Sequence, residues 1–214
     1  MCGRYVLFSS LEELSGDLRR RLGTRRIPRA GTGEWPANYN VAPTAEVPIV
    51  REFKGEAAIG PARWGYPPKT VFNARGETAF SKPMFSSSLP CAFPMNGWYE
   101  WTVGEDGKKQ PWFTSATDGQ PMYAAGLCKA VEGQLYGTII TVAALPELEW
   151  LHSRMPRILV GDELGAWLKG EGAEEVASPN RATTVDSRKA DRKVGSVANN
   201  YPGLVGMNLS LIHI

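Results

Sequence analysis

The sequence lacks the material for a metal or dithiol centre. Its 214 residues include three cysteines and two histidines. Cys2, Cys91 and Cys128 lie far apart and form no C-x-x-C pair, so neither a zinc site nor a redox dithiol is expected, and no cofactor is called for. No apolar run reaches the roughly 18–20 residues that cross a bilayer. The opening Met1-Cys2-Gly3-Arg4-Tyr5 is not followed by the apolar stretch of a signal peptide. A large charge excess is also missing: the formal net charge is +2, which argues against coating duplex DNA by bulk charge but permits a local basic groove. These absences predict a cytoplasmic protein with no membrane and no metal. What is present is an ordinary globular composition, 43% hydrophobic, with enough chain for one sizeable core.

The pattern along the chain predicts one α+β domain over residues 1–207. Its centre is a curved, mostly antiparallel, barrel-like sheet flanked by short helices. Residues 2–8 read as a strand. Ser10-Leu11-Glu12-Glu13 is a capping box, and Leu11, Leu14, Leu18 and Leu22 recur at helical spacing, which predicts a helix over 10–22. Residues 47–53 and 57–66 flank Lys54-Gly55 as a hairpin. Further strands are predicted at 92–102, 111–114, 122–130, 135–144 and 157–160, and short helices at 77–87 and 162–168. Two basic runs stand out, Arg19 to Arg29 and Arg188 to Lys193; solvated faces account for both as readily as a groove does. The end, 208–214, has apolar residues without cap or pattern and is set apart as an atypical tail that includes His213.

Four places carry chemistry. Removal of Met1 would leave Cys2 with a thiol and a free α-amine on one two-carbon unit, with ordinary pKa values of about 8.5 and about 7.7–8.0. Such an aminothiol condenses with an aldehyde to an imine, and the thiol then closes a five-membered thiazolidine with a large effective molarity. A small buried hydrophobe at a strand start is the plainer reading of Cys2. His152 is the one histidine in the chain proper, and its ordinary pKa suits proton shuttling near neutrality. Glu100 sits in Gly97-Trp98-Tyr99-Glu100-Trp101, where burial among aromatics should raise its pKa unless an arginine pairs with it. Asn73-Ala74-Arg75-Gly76-Glu77 offers an amide and a planar guanidinium suited to phosphate, or else a turn with a helix cap.

Together with Tyr-Asn-Val-Ala-Pro-Thr at 39–44, Arg-Trp-Gly-Tyr at 63–66 and His-Ser-Arg-Met-Pro at 152–156, these stretches resemble the SRAP family. That family comprises the SOS response-associated peptidases and includes abasic-site crosslinking proteins. The resemblance spans Cys2 to about Leu204. It implies that Cys2 is the crosslinking nucleophile and that Asn73 helps hold the sugar and the amine. Glu100 becomes the catalytic glutamate, and His152 the proton shuttle in sugar opening and imine formation. Arg75 and Arg154 would grip phosphates. Arg4, Asn40 and Pro43 would line the DNA site, and Trp64, Met84 and Trp101 would pack against bases or shape the pocket. Two departures stand out. The segment 66–72 is short and lacks the tryptophan common before Asn-Ala-Arg. Ser153 replaces a frequent aspartate, removing a carboxylate that could pair with Arg154.

The expected function is therefore a covalent shield of abasic sites in single-stranded DNA in the SOS response, acting as a monomer at the bacterial nucleoid, with strand cleavage by β-elimination as a lyase side reaction. An N-terminal-nucleophile cysteine peptidase or amidase is the alternative. A non-covalent single-strand binder is a third.

Overall fold

A computed structural model of the protein describes residues 2–32, 34–181 and 184–206. The 208–214 tail lies outside the described residues. The elements run β1 (Tyr5–Leu7), α1 (Leu11–Leu22), β2 (Asn38–Val41), β3 (Glu46–Phe53), β4 (Glu56–Trp64), β5 (Asn73–Arg75), α2 (Gly76–Ala79), β6 (Leu89–Met95), β7 (Gly97–Val103), β8 (Lys109–Ala116), β9 (Met122–Val131), β10 (Gln134–Ala143), β11 (Arg154–Pro156), α3 (Glu163–Leu168), α4 (Ala173–Ala177) and β12 (Val185–Lys189). The α+β class and the curved sheet agree with expectation. One sheet runs β11-β10-β4-β3-β6-β9, and β9 pairs again with β10, so β10, β4, β3, β6 and β9 close a ring. Pairing in it is antiparallel except where β10 meets β4 and β5. A second sheet, β12-β8-β7-β1-β2, was not anticipated.

The two sheets meet at a corner that the apolar pattern hides. Residues 92–102 read as one strand but form parts of two, β6 in the ring and β7 in the second sheet. Asn96 makes the break. Its Oδ1 accepts from the Phe8 and Ser9 amides at 2.9 and 3.0 Å, and its Nδ2 donates to Ser9 Oγ. Gly97 then starts β7 because a Cβ there would lie 2.4 Å from Thr114 O and 2.5 Å from the Phe113 ring.

Helix α1 begins where predicted: Ser10 caps it, and Glu13 completes the capping box. Two other expectations are corrected. The helix predicted over 77–87 is only α2 plus a 3₁₀ turn at Pro83–Phe85, because Pro83 cannot continue a helix and restricts Lys82 before it. The strand predicted over 157–160 is instead β11, three residues earlier, with Ile158 left in an isolated bridge.

At least half of the ten cations in the two basic runs are held in contacts. Arg20 and Arg21 bond Asp17, Arg26 pairs with Glu56, Arg188 donates to Val205 O, and Arg192 pairs with Asp106. Among the described residues no helix is long and apolar enough to cross a membrane.

Candidate active site

Strand β1 carries the chain from Cys2 along β7. Tyr5 pairs with Trp98, and the Tyr99 amide donates to Arg4 O at 2.9 Å. This lays residues 2–4 beside Glu100. Side chains alternate across β7, so the aromatic motif divides. Trp98 joins the main core with Cys2, whereas Tyr99 and Trp101 pack in a separate cluster with Val6 and Phe113. The expected wall of three aromatics around Glu100 is therefore corrected: Tyr99 and Trp101 face the other way. Trp112, directly across from Glu100 on β8, is an aromatic that the linear motif does not contain.

Glu100 is 4% exposed. Burial pushes its carboxyl up to about 7, against the pull of the chain's terminal ammonium. The same burial pushes the Cys2 thiol well above its ordinary range, and the Glu100 charge adds to that rise. His152 is shifted down by burial first and by the terminal ammonium second. Cys2 and Glu100 thus share one electrostatic neighbourhood, and the chain terminus links it to His152. Cys2, expected to be accessible once it is the first residue, is fully buried in the chain that still carries Met1.

Trp64 ties the next part of the site together. Its ring stands edge-on to Tyr5 at 5.0 Å, and its Nε1 donates to Phe72 O at 3.0 Å. At 0% exposure, Trp64 is part of the core behind Asn73. Strand β5 follows, pairing Asn73 with Ile139 and Arg75 with Thr141. Asn73 donates to Phe72 O, and its Oδ1 is buried with no partner among the described residues. That leaves an acceptor for an amine or hydroxyl, since a buried polar atom left unmatched costs free energy. Arg75 projects exposed from the strand end.

Strand β11 brings the His152 segment to the same end of β10, with Arg154 opposite Ala143. The Arg154 amide donates to His152 Nδ1 at 2.8 Å. The Arg154 carbonyl oxygen lies 3.1 Å from the same nitrogen, so both backbone groups of Arg154 hold the ring edge and leave Nε2 as its other polar atom. Arg154 itself holds Glu77 of α2 through two bonds of 2.7 and 3.0 Å, and it bonds Thr141 O. These bonds keep the Glu77 carboxyl below its usual value. The carboxylate missing at Ser153 is thus replaced by one 77 residues away, which no local spacing could signal. Helix α2 approaches closely through Gly76, where a Cβ would sit 3.1 Å from Val142 Cγ1.

The expected DNA contacts separate into tied and open side chains. Asn40 is tied into the fold. It is 4% exposed, accepts from Arg4 at 2.7 Å, and donates to Ser196 O and Asn199 O at 2.9 and 2.8 Å. Arg4 is spent on Asn40 and Val194 O, with its guanidinium 6.0 Å over the half-buried Trp101 ring. Pro43 is half-buried in the Ala-Pro-Thr turn, which docks through the Thr44 amide on Trp64 O at 2.8 Å. Thr44 there holds φ at 78°, a strained value for a β-branched residue. Met84 is exposed on the Pro83–Phe85 turn, where its carbonyl accepts from Lys129. No cluster of metal-ligating side chains occurs among the described residues.

Known proteins resemble this chain over much of its length. The abasic site processing protein YedK of Escherichia coli is 31% identical over 227 aligned residues, covering 96% of this chain and 99% of the relative. The abasic site processing protein YMR114C of Saccharomyces cerevisiae is 39% identical over 153 residues, covering 64% of this chain and 40% of the relative. A crystal structure of a protein from Bacteroides thetaiotaomicron superposes with a TM-score of 0.76 at 19% identity, covering 95% of this chain and 98% of that one. The profile of the SOS response associated peptidases, SRAP, matches residues 1–197, and the chain belongs to the SRAP family.

Proposed function

We propose that this protein bonds covalently to abasic sites in single-stranded DNA through a thiazolidine at Cys2, once Met1 has been removed. The observation that carries the proposal is the shared neighbourhood of Cys2 and Glu100, reached by His152 through the chain terminus, with the Glu100 carboxyl held at about 7. A carboxyl poised there exchanges protons near neutral pH. The names of the curated relatives point to the same lesion.

The steps balance without a cofactor. An abasic sugar is mostly a closed hemiacetal. Opening moves a proton from the anomeric hydroxyl to the ring oxygen, and the His152 ring is the group that shuttles it. The Cys2 amine then adds to the aldehyde carbon. Its proton passes to Glu100, and water leaves to give the imine. The thiol adds to the imine carbon, its proton goes to the nitrogen, and the ring closes, so one water is lost overall. Asn73 Oδ1 accepts from the amine and orients it. An exposed Arg75 suits a flanking phosphate. The unpaired strand presents its aldehyde without unpairing energy.

The peptidase alternative needs a thiolate, because that is the attacking form. Burial and Glu100 push the Cys2 thiol in the opposite direction, and this favours the amine-first route. The test is mass spectrometry of the product formed with an oligonucleotide carrying one abasic site. The expected mass is protein without Met1 plus DNA minus one water. Cys2→Ser should give no heat-stable product, and neither should protein with an extra residue retained before Cys2. A full-strength product from either would overturn the thiazolidine.

A further inference from the structure

A row of side chains leads out of the site across the second sheet. Glu100 on β7 pairs with Trp112 on β8, and Trp112 pairs with Lys189 on β12. Directly paired residues share a sheet face, so Glu100, Trp112 and Lys189 lie on one side. Adjacent strands are about 4.8 Å apart, which puts Lys189 roughly 10 Å along the row from Glu100. Trp112 is fixed in place: its Nε1 donates to Thr102 Oγ1 at 2.9 Å, and the Lys189 ammonium sits 5.9 Å from its ring centre. Standing edge-on to Trp112 at 4.8 Å and 83° is Trp150. Trp150 is 54% exposed, two residues before His152, on the turn that follows Pro146–Leu148.

A tryptophan exposed to that degree loses free energy to water unless a partner covers it. Here one side is braced by a second tryptophan, and the sequence continues straight into the site histidine. Lys189 is exposed beyond Trp112, and it supplies positive charge on that side. Glu147 and Glu149 are exposed on the Trp150 side and disfavour phosphate there. Stacking on an aromatic with a cation alongside is the chemistry that holds an unpaired nucleotide.

We infer that Trp150, braced by Trp112, is a stacking platform for the nucleobase next to the abasic residue, with Lys189 taking a phosphate of the same strand. This rests on the single-stranded-DNA reading above and adds a subsite to it. The sequence reading passed over Trp150 and Trp112, since neither lies in a motif that carries chemistry, and their contact is made across 38 residues of chain.

The test uses non-covalent binding, so that it does not depend on the crosslink. The probes are single strands with a central tetrahydrofuran residue, which has no aldehyde. One set keeps the flanking bases; in the other the flanking residues are tetrahydrofuran as well. Trp150→Ala should weaken binding about tenfold on strands with flanking bases, the effect of losing one stacked base, and should leave the base-free strands unchanged. Trp150→Phe should recover most of the loss. Lys189→Ala should lower the log–log salt slope by about 0.7 on both strands, and an unaltered slope would remove Lys189 from the subsite. Equal losses of Trp150→Ala on both strands, or none on either, would overturn the platform. If wild-type protein forms no crosslink but Trp150→Ala still shows base-dependent weakening, the covalent function fails and the subsite stands.

Discussion

Two buried carboxylates set the site apart from the rest of the fold. Glu163 and Glu100 are 8% and 4% exposed, yet their acidities move in opposite directions. Burial pushes the Glu163 carboxyl up, but two bonds from Arg157 at 2.7 and 3.1 Å overcome that and hold it below its usual value. Arg157 is itself 1% exposed and fully engaged, with further bonds to Ile158 O, Glu175 O and Asn180 Oδ1. Asn180 completes the knot by accepting from the Ile158 amide and donating to Pro156 O. At Glu100 the charge that opposes burial is the terminal ammonium. The Glu163 carboxylate is matched by side chains inside its own fold, whereas the charge set against burial at Glu100 is that of the chain terminus.

The largest expected effect is kinetic. Glu100→Gln should slow single-turnover crosslinking by about 10²–10⁴-fold, the usual range for an acid–base group. It should also remove the inflection near pH 7 from the wild-type rate profile, measured from pH 5 to 9. A profile that keeps its inflection would assign the titration to another group. On the other side of the comparison, Arg157→Ala should cost about 3–5 kcal/mol of stability by urea denaturation, because it leaves the buried Glu163 with only the exposed Arg181 as an ion-pair partner. A loss below about 1 kcal/mol would mean that water reaches the knot.

The same pair predicts opposite pH dependences of stability. The folded-state value of Glu100 is raised, so between pH 4.5 and about 7 the folded chain holds a proton that the unfolded chain has released. Its contribution is therefore present below 4.5 and is lost as pH rises through about 7. Glu100→Gln should gain about 3 kcal/mol on wild type between pH 4 and pH 8. Glu163, with a depressed value, contributes above the ordinary carboxylate range and loses that contribution as pH falls. Glu163→Gln should accordingly be most damaging at neutral pH. Parallel responses in the two variants would break the comparison.

The knot and the site also differ in how they could be read from sequence. Helix α1 is written in Ser10, Glu13 and the leucine spacing, and the β3–β4 hairpin in Lys54-Gly55; both are local signals. The corner at Asn96 is not local, because its bonds run to Phe8 and Ser9 across the fold. Strands β2, β5 and β12 are short and polar, so period-two alternation has no run in which to show, and Asn73–Arg75 reads as a turn. Arg157 looks like the start of an apolar strand although it anchors the knot. Glu100 and His152 were legible as types of residue in suggestive settings. Their meeting with Cys2 came from family resemblance, since no spacing in one chain brings residues 2, 100 and 152 together. The face that Glu100 shares with Trp112 emerged only from the strand register.

The smallest expected effect separates the two arginines. Arg154 is 13% exposed in its side chain and clamped to Glu77, whereas Arg75 is exposed at the end of β5. Sequence reasoning gives both to phosphate, but only Arg75 has its guanidinium available without breaking an ion pair. Arg75→Ala should lower the log–log salt slope of single-strand binding by about 0.7, one phosphate contact, and should leave the unfolding midpoint in place. Arg154→Ala should shift the midpoint by freeing Glu77 and dropping the Thr141 bond. The His152 ring should stay held, because its Nδ1 bonds the backbone of residue 154, and the salt slope should change less than for Arg75→Ala. Equal slope changes in both variants would mean that DNA displaces Glu77 from Arg154, making that clamp a part of binding.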